Sequence, residues 1–292
     1  MATQVESKRI SVENVLFATD FSKFSNEALP FALSIARKYG SKILALHVIS
    51  PPPLGKFPLT LEMQEIAAQA LQEATEEMKG LEPRMRGVTH EMLVRKGDVW
   101  EEMSAIVKDR NVDLIVVGTH GRAGASKLAV GSIAERIFRE APCPVLTVGP
   151  DVAGEPGSIA DIHTVLYPVD FSSESLAALP QAISLAQEHQ ARLYLLHVAP
   201  APLSDSDETS LRARLRLLVP PEVRLWCEPK VFVEFGDASQ KILEMAEELA
   251  VDLIVLGTKH VSRFAAARTH LGMATAYKVV SHAICPVLTV RG

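Results

Sequence analysis

A spaced set of glycines is the part of this 292-residue sequence best suited to chemistry. Gly118-Thr119-His120-Gly121-Arg122 runs through a polar loop to Gly131-Ser132, after which Ile133, Ala134, Ile137 and Phe138 recur at helical spacing. Glycine at 118 and 121 would let the backbone turn sharply and approach a ligand with no Cβ in the way. Gly131-Ser132 would open the helix. A helix start offers unpaired N–H groups, a positive dipole end and here a hydroxyl, a combination suited to phosphate. The same glycines would equally serve a plain turn ahead of a helix. His120, Arg122 and Lys127 lie on this loop, and each could contact a phosphate or stay solvated, as loop cations usually are.

Other constellations are weaker. Asp20 follows the apolar run Val15-Leu16-Phe17, at what reads as a strand end, where its carboxylate could accept from sugar hydroxyls. His47 and His197 recur at matched strand ends without a Cys or carboxylate at ligand spacing, and read as hydrogen-bonded packing histidines. Cys143, Cys227 and Cys285 form no close-spaced pair, so zinc and disulfide frameworks are not expected, and Cys143 and Cys285 read as small buried packing residues. No Gly-x4-Gly-Lys-Ser/Thr loop and no kinase Asp/Asn set occurs. The turn Thr19-Asp20-Phe21-Ser22-Lys23-Phe24 contains no glycine, which argues against a dinucleotide fingerprint. Neither catalytic residues nor metal ligands are therefore assigned.

Behind these residues stands a duplication. Glu13–Ser50 and His163–Pro200 are identical at 15 of 38 positions at a constant offset of 150, including Asp20-Phe-Ser with Asp170-Phe-Ser and Leu-His47-Val48 with Leu-His197-Val198. Lys96-Gly97-Asp98 and Val112-Asp113 recur at an offset of 139 in Phe235-Gly236-Asp237 and Val251-Asp252, and Cys143-Pro-Val-Leu-Thr-Val recurs at 142 from Cys285. The second copy has thus lost eleven residues in its middle and gained three ahead of its last helix. The stretch from Gly149 to Ser158, rich in Gly and Pro, reads as the linker.

Within each copy, short β-branched runs alternate with segments of helical period, which predicts βαβ units and a mostly parallel sheet. In the first copy the strands are expected near Val12–Thr19, Lys42–Ile49, Thr89–Val94, Leu114–Val117 and Val145–Val148. One helix carries an apolar stripe, Met63, Ile66, Ala67, Ala70, Leu71, Ala74 and Met78, expected to be buried. Another is expected to start at Asp98 as N-cap and to bury Val99, Trp100, Met103, Ile106 and Val107. In the second copy the middle helix is expected to shrink to about Leu211–Val219. Val145–Val148 and Val287–Val290 would be exposed sheet edges, which proteins normally pair or cover.

Composition excludes several classes. With 48% hydrophobic residues, 22% charged and a mean hydropathy of +0.15, the chain reads as an ordinary globular protein able to bury substantial cores. Its net charge of −5 divides into 0 over residues 1–150 and −5 over 151–292, so no general nucleic-acid partner is expected. No apolar stretch approaches the ~20 residues of a membrane span, and Met1–Arg9 lacks the apolar segment of a secretory signal. A cytoplasmic setting, with no membrane partner, is the expectation.

The spacing Gly118-x2-Gly121-x9-Gly131-Ser132, followed after Ala-Pro-Cys by Pro-Val-Leu-Thr-Val, resembles the nucleotide-binding signature of the universal stress proteins. Val-Leu-Phe-Ala-Thr-Asp20-Phe-Ser, Leu-His47-Val48 and Gly97-Asp98 are similar to that family's other landmarks, and the resemblance covers nearly the whole chain as two tandem copies. It implies two α/β domains of flavodoxin-like or Rossmann-like type, each a five-stranded parallel sheet in the order 3-2-1-4-5. Residues 1–149 would form the first, 150–160 the linker and 161–292 the second. The resemblance also implies an ATP-binding stress-response regulator, with Mg2+ or Mn2+ beside the nucleotide, whose first copy biases partner contacts or oligomeric state. A slow ATPase in which Ser132 could be self-modified, and a nucleotide-free interaction scaffold, are the alternatives. By the same resemblance Ala18, Thr19 and Asp20 would hold the adenosine, Val48 would contact adenine, and Val117 and Gly118 would line the ribose. Gly121, Gly131, Ser132 and Ile133 would surround the phosphates, with His120 and Arg122 on the same loop. The terminal strands would pair between copies as an internal pseudo-dimer, with a homodimer possible beyond it. The second copy has His260 in place of the second glycine and Met273-Ala274 opposite Gly131-Ser132, although Gly272 lies one register away, so about one nucleotide per chain is expected.

Overall fold

The computed structural model describes residues 11–50, 60–119, 131–152, 162–258 and 270–292. The first copy runs β1 (Asn14–Ala18), α1 (Lys23–Tyr39), β2 (Lys42–Ile49), α2 (Leu61–Leu81), β3 (His90–Lys96), α3 (Val99–Asp109), β4 (Leu114–Gly118), α4 (Ser132–Glu140) and β5 (Val145–Val148). The second runs β6 (Thr164–Pro168), α5 (Ser173–His189), β7 (Arg192–Ala199), α6 (Asp205–Leu218), β8 (Lys230–Phe235), α7 (Ala238–Glu248), β9 (Leu253–Thr258), α8 (His270–His282) and β10 (Val287–Arg291).

Local chemistry sets many of these boundaries. The side chains of Ser22 and Ser172 accept from the N–H groups of Ser25 and Ser175 and start α1 and α5. Asp98 starts α3 as expected, accepting from Trp100 and Glu101. Pro30 lies inside α1 and cannot donate to the carbonyl of Asn26 four residues back. The Arg84 guanidinium takes that carbonyl at 3.2 Å and the Asn26 side-chain oxygen at 3.0 Å. Asp113 ties the start of β1 to the start of β4, accepting from the N–H groups of Glu13 and Asn14 at 2.8 and 2.9 Å, and Asp252 repeats the tie to His163 and Thr164.

Each copy forms a parallel sheet in the order 3-2-1-4-5, and the two are joined into a single sheet of ten strands, β3-β2-β1-β4-β5-β10-β9-β6-β7-β8. The junction is the antiparallel pair β5–β10, with Leu146 opposite Leu288, so the terminal edges do pair between copies. Thr147 donates to the carbonyl of Val287 at 3.0 Å and Thr289 to that of Val145 at 3.2 Å. Two cores lie on opposite faces, and each draws residues from both copies. One gathers Phe17, Leu29 and Met78 with Tyr167 and Leu215, and the other Leu16, Met103 and Ile137 with Ile242 and Val279.

The structure corrects three expectations. The stripe on α2 is buried only at Ala74 and Met78, while Ile66 is 59% and Leu71 38% exposed. A helix of 21 residues is about 31 Å long. It outruns β2 and β3, whose eight and seven residues span about 26 and 23 Å. The middle helix of the second copy starts at Asp205 rather than Leu211, because Ser204 caps it and Asp205, Asp207 and Glu208 complement its positive end. On α3, Met103, Ile106 and Val107 are buried but Val99 and Trp100 only half so.

The copies differ where α1 and α5 end. Gly40 closes α1 at φ 70°, and Gln190 closes α5 in the same left-handed region at φ 53°, where a side chain is unfavourable. Gln190→Gly is expected to stabilise the protein by about 1 kcal/mol, seen as a higher urea midpoint with an unchanged slope. A midpoint that stays put or falls would contradict the assigned strain.

Candidate functional site

In an open parallel sheet the crevice lies beyond the carboxyl ends of the strands where the winding reverses. Here that point is between β1 and β4. Helices α1 and α2 supply one core and α3 and α4 the other, so the chain changes face after β3. The sequence candidates Ala18, Thr19 and Asp20 end or follow β1, Val48 lies near the end of β2, Val117 and Gly118 end β4, and Gly131, Ser132 and Ile133 begin α4. His120, Gly121 and Arg122, like Lys127, lie outside the described residues.

The Asp20 turn is built from local bonds. Asp20 is half-buried, and one carboxylate oxygen accepts from the N–H of Ser22 at 3.0 Å. Between them Phe21 adopts φ 61°, a left-handed conformation that a residue with a bulky side chain rarely takes. Its ring lies 4.4 Å from that of His47, whose Nδ1 donates to the carbonyl of Thr19 at 2.8 Å. Thr19 is buried and turned to the scaffold, its hydroxyl 3.0 Å from the N–H of Phe21 and 3.1 Å from the Ser25 hydroxyl. The second copy repeats the unit. Phe171 has φ 61°, the His197 ring is 5.2 Å away, and Asp170 accepts from the N–H of Ser172 at 2.9 Å. Burial pushes the Asp170 carboxyl up, but hydrogen bonds from Ser172 and Ser175 outweigh it and leave the pKa below the usual carboxylate value. His47 and His197 are therefore the packing residues that their spacing suggested. The strained Phe21 was not foreseen, although its recurrence beside Asp170 was a visible signal.

Gly118 and its counterpart Gly257 have a packing role. A Cβ on Gly118 would lie 2.7 Å from the carbonyl oxygen of Phe24, and one on Gly257 only 2.3 Å from that of Glu174. Both glycines let a helix start pack against the end of a strand. Val117 is likewise buried in the core, at 7% exposure. Gly131 has an extended backbone at φ −60°, and its N–H donates to the carbonyl of Thr119 at 2.8 Å, so that group closes the base of the loop. Ser132 and Ile133 are exposed.

The start of α4 is unlike the other described helix starts. Side chains cap α1, α2, α3, α5, α6 and α7, but among the described residues no side chain caps α4, whose N-cap is Gly131. The N–H groups of Ser132, Ile133 and Ala134 precede the first bond of the helix ladder, which Glu135 makes to the Gly131 carbonyl at 2.9 Å. Arg136 fixes the helix to α3, 3.5 Å from Asp98 and 5.8 Å from the centre of the Trp100 ring.

At the matching place in the second copy lies a cleft of about 130 Å³, lined by Leu196, Val198, Ile242, Asp170 and Thr258 among others. The three extra residues ahead of its last helix enter the helix itself, since α8 begins at His270, four positions before the counterpart of Ser132. Burial pushes the thiols of Cys143 and Cys285 up to about 12, which leaves both protonated and in a packing role, with Cys143 half-buried rather than buried. Among the described residues no three His, Cys, Asp or Glu side chains gather as a metal site, and no helix is long and apolar enough to cross a membrane.

Two tandem α/β units of Rossmann-like type, each with a crevice at its winding reversal, define the class. The model of the universal stress protein family matches residues 11–149 and again 161–291, and the chain belongs to that family. A universal stress protein of Methanocaldococcus jannaschii is 29% identical over 138 residues, covering 47% of this chain and 81% of its own length. A homologue from Coxiella burnetii is 31% identical over 148 residues, covering 47% and 95%. Among solved structures, a universal stress protein from Archaeoglobus fulgidus shares the fold over 97% of this chain and 99% of its own, with TM-score 0.69 and 23% identity.

If Gly118 is a packing glycine, Gly118→Ala must push α1 away from β4. The expected cost is about 1–3 kcal/mol of stability, read as a lower melting temperature. A variant that melts with the parent would return Gly118 to a ligand-facing role.

Proposed function

We propose that the N-terminal copy binds one adenine nucleotide, ATP with Mg2+ or Mn2+, and that the protein acts in the stress response as a nucleotide-dependent regulator of partner contacts or oligomeric state. The observation that carries this reading is the start of α4, a helix N-terminus without a side-chain cap at the carboxyl edge of the sheet, beside the winding reversal. Phosphate oxygens are the natural acceptors for its N–H groups, and the Ser132 hydroxyl adds a donor. The half-buried Asp20 carboxylate would accept from ribose hydroxyls and Val48 would offer an apolar surface to the base. His120, Gly121 and Arg122 would complete the phosphate surroundings. The metal would be held mainly by the phosphates, as is usual for Mg2+. Membership of the family supports a stress-response role.

Calorimetric titration of nucleotide-stripped protein with Mg-ATP tests the proposal. One site per chain is expected. Two sites would bring the C-terminal copy into play, and no heat of binding would leave the glycine loop a structural turn. Asp20→Asn, which keeps an acceptor for the Ser22 N–H, is expected to weaken binding by about 1–3 kcal/mol. Asp170→Asn is expected to leave affinity unchanged, and equal losses from the two would overturn the assignment to the first copy.

A further inference from the structure

The last residue of β10 reaches across the seam between the copies. The Arg291 guanidinium donates to the carbonyls of Glu140 at 2.8 Å, Ala141 at 2.9 Å and Arg139 at 3.1 Å. These belong to the C-terminal end of α4, where helical carbonyls lack partners and the dipole favours a cation. Burial lowers the Arg291 pKa below its ordinary value, against which the Glu140 charge works. Three bonds from one planar fork fix where α4 ends. The helix is nine residues, about 13 Å, so a shift at one end is transmitted to the other.

The contact runs one way. Other ties recur in both copies: Lys278 lies 3.6 Å from Asp237 just as Arg136 lies 3.5 Å from Asp98. Arg291 has no such counterpart, because the offset of 142 places Gly149 at the matching position. There the backbone itself runs past the end of α8, and an ideal Cβ on Gly149 would stand 3.4 Å from the Ala283 carbonyl and 3.8 Å from that of Val280. The C-terminal copy thus grips the one last helix whose start carries the Gly-Ser motif, and among the described residues receives no equivalent grip in return.

We propose that Arg291 is a positioning residue for the nucleotide site of the other copy, coupling occupancy at the start of α4 to the β5–β10 seam at its end. This rests on the nucleotide reading above. Binding that draws the start of α4 toward phosphate must move or steady its C-terminal carbonyls, and Arg291 carries that to β10. By linkage, a docked seam presets α4 for the ligand.

The test combines calorimetry with hydrogen exchange on the full chain, as wild type, R291A and R291K, with and without Mg-ATP. In the wild type, ATP is expected to slow exchange in Val145–Val148 and Val287–Val290. In R291A the affinity is expected to fall about fivefold or more, with the effect of ATP on the seam abolished and partly restored in R291K. A purely structural staple would slow the apo seam's exchange without any response to ATP. Wild-type affinity in R291A, or ATP binding that leaves the wild-type seam unchanged, overturns the coupling alone. A wild type that binds no ATP overturns the nucleotide reading and the coupling with it. Should R291A not fold, R291Q, which keeps two N–H donors on a shorter stem, carries the same comparison.

Discussion

A sheet ending on Val145-Leu146-Thr147-Val148 has unpaired backbone at its edge and apolar side chains on both faces, a combination that invites association. The second copy ends on the same kind of strand, and the antiparallel pairing of the two removes both edges. Much of the molecule follows from that pairing. Leu146 and Val148 meet Leu288 and Val290 in one core, Val145 meets Val287 in the other, and the two layers run without a break through both copies. The relative position of the copies is a matter of strand register rather than of linker length. Since the pairing is antiparallel and each copy is parallel within itself, the carboxyl ends of the two sets of strands point to opposite edges of the sheet. The two crevices therefore open at opposite ends of the sheet, and the copies meet at the seam, at the Arg291 bonds to α4 and at the Lys38 bond to the Glu188 carbonyl, 2.8 Å.

Comparison of the copies separates residues kept for the scaffold from residues kept for a site. Asp20 and Asp170 sit in the same turn, each accepting from a serine N–H two residues on and followed by a phenylalanine in left-handed conformation against a histidine. An aspartate that folds its own turn would persist whether or not a ligand was present, so its recurrence by itself points to no ligand. Gly118 and Gly257 recur because a helix backbone packs against each. Asp113 and Asp252 recur because each ties two strand starts together at the end of the sheet away from the crevice. The differences fall elsewhere, among them the end of α1 against α5, the middle helix, the start of the last helix and position 291 against 149.

This pattern explains how much was legible in the sequence. Strands announce themselves through β-branched runs bounded by turn residues, and Lys42–Ile49 and Val145–Val148 lie where those runs put them. Helix existence was equally plain, but burial was not. The apolar period of α2 is continuous, while the sheet beneath it is not long enough to cover it, and sheet extent is a tertiary property absent from any local window. The start of α6 lay in a cap and a cluster of acids rather than in hydrophobic period. At the site, residue types carry no information on the direction each side chain or N–H faces. Gly118 turned out to face a helix, Thr19 the interior of its own turn, and the N–H of Gly131 the carbonyl of Thr119.

Among the described helix starts of both copies, that of α4 is the one without a side-chain cap. Replacing a capping side chain typically costs about 1 kcal/mol, and this chain places Ser, Thr or Asp at the described starts of α1, α2, α3, α5, α6 and α7. Gly131 lets the backbone enter α4 but satisfies none of the N–H groups beyond it. Under the nucleotide reading the missing acceptor is the ligand's own phosphate, so the cost is offset only in the bound state. That arrangement makes the stability of α4 responsive to occupancy, which a capped helix would not be. It also gives meaning to the Arg291 contact at the other end. With its start left open, α4 is held by its buried Ala134, Ile137 and Phe138, by Arg136 against α3, and at its finish by a group supplied from across the seam.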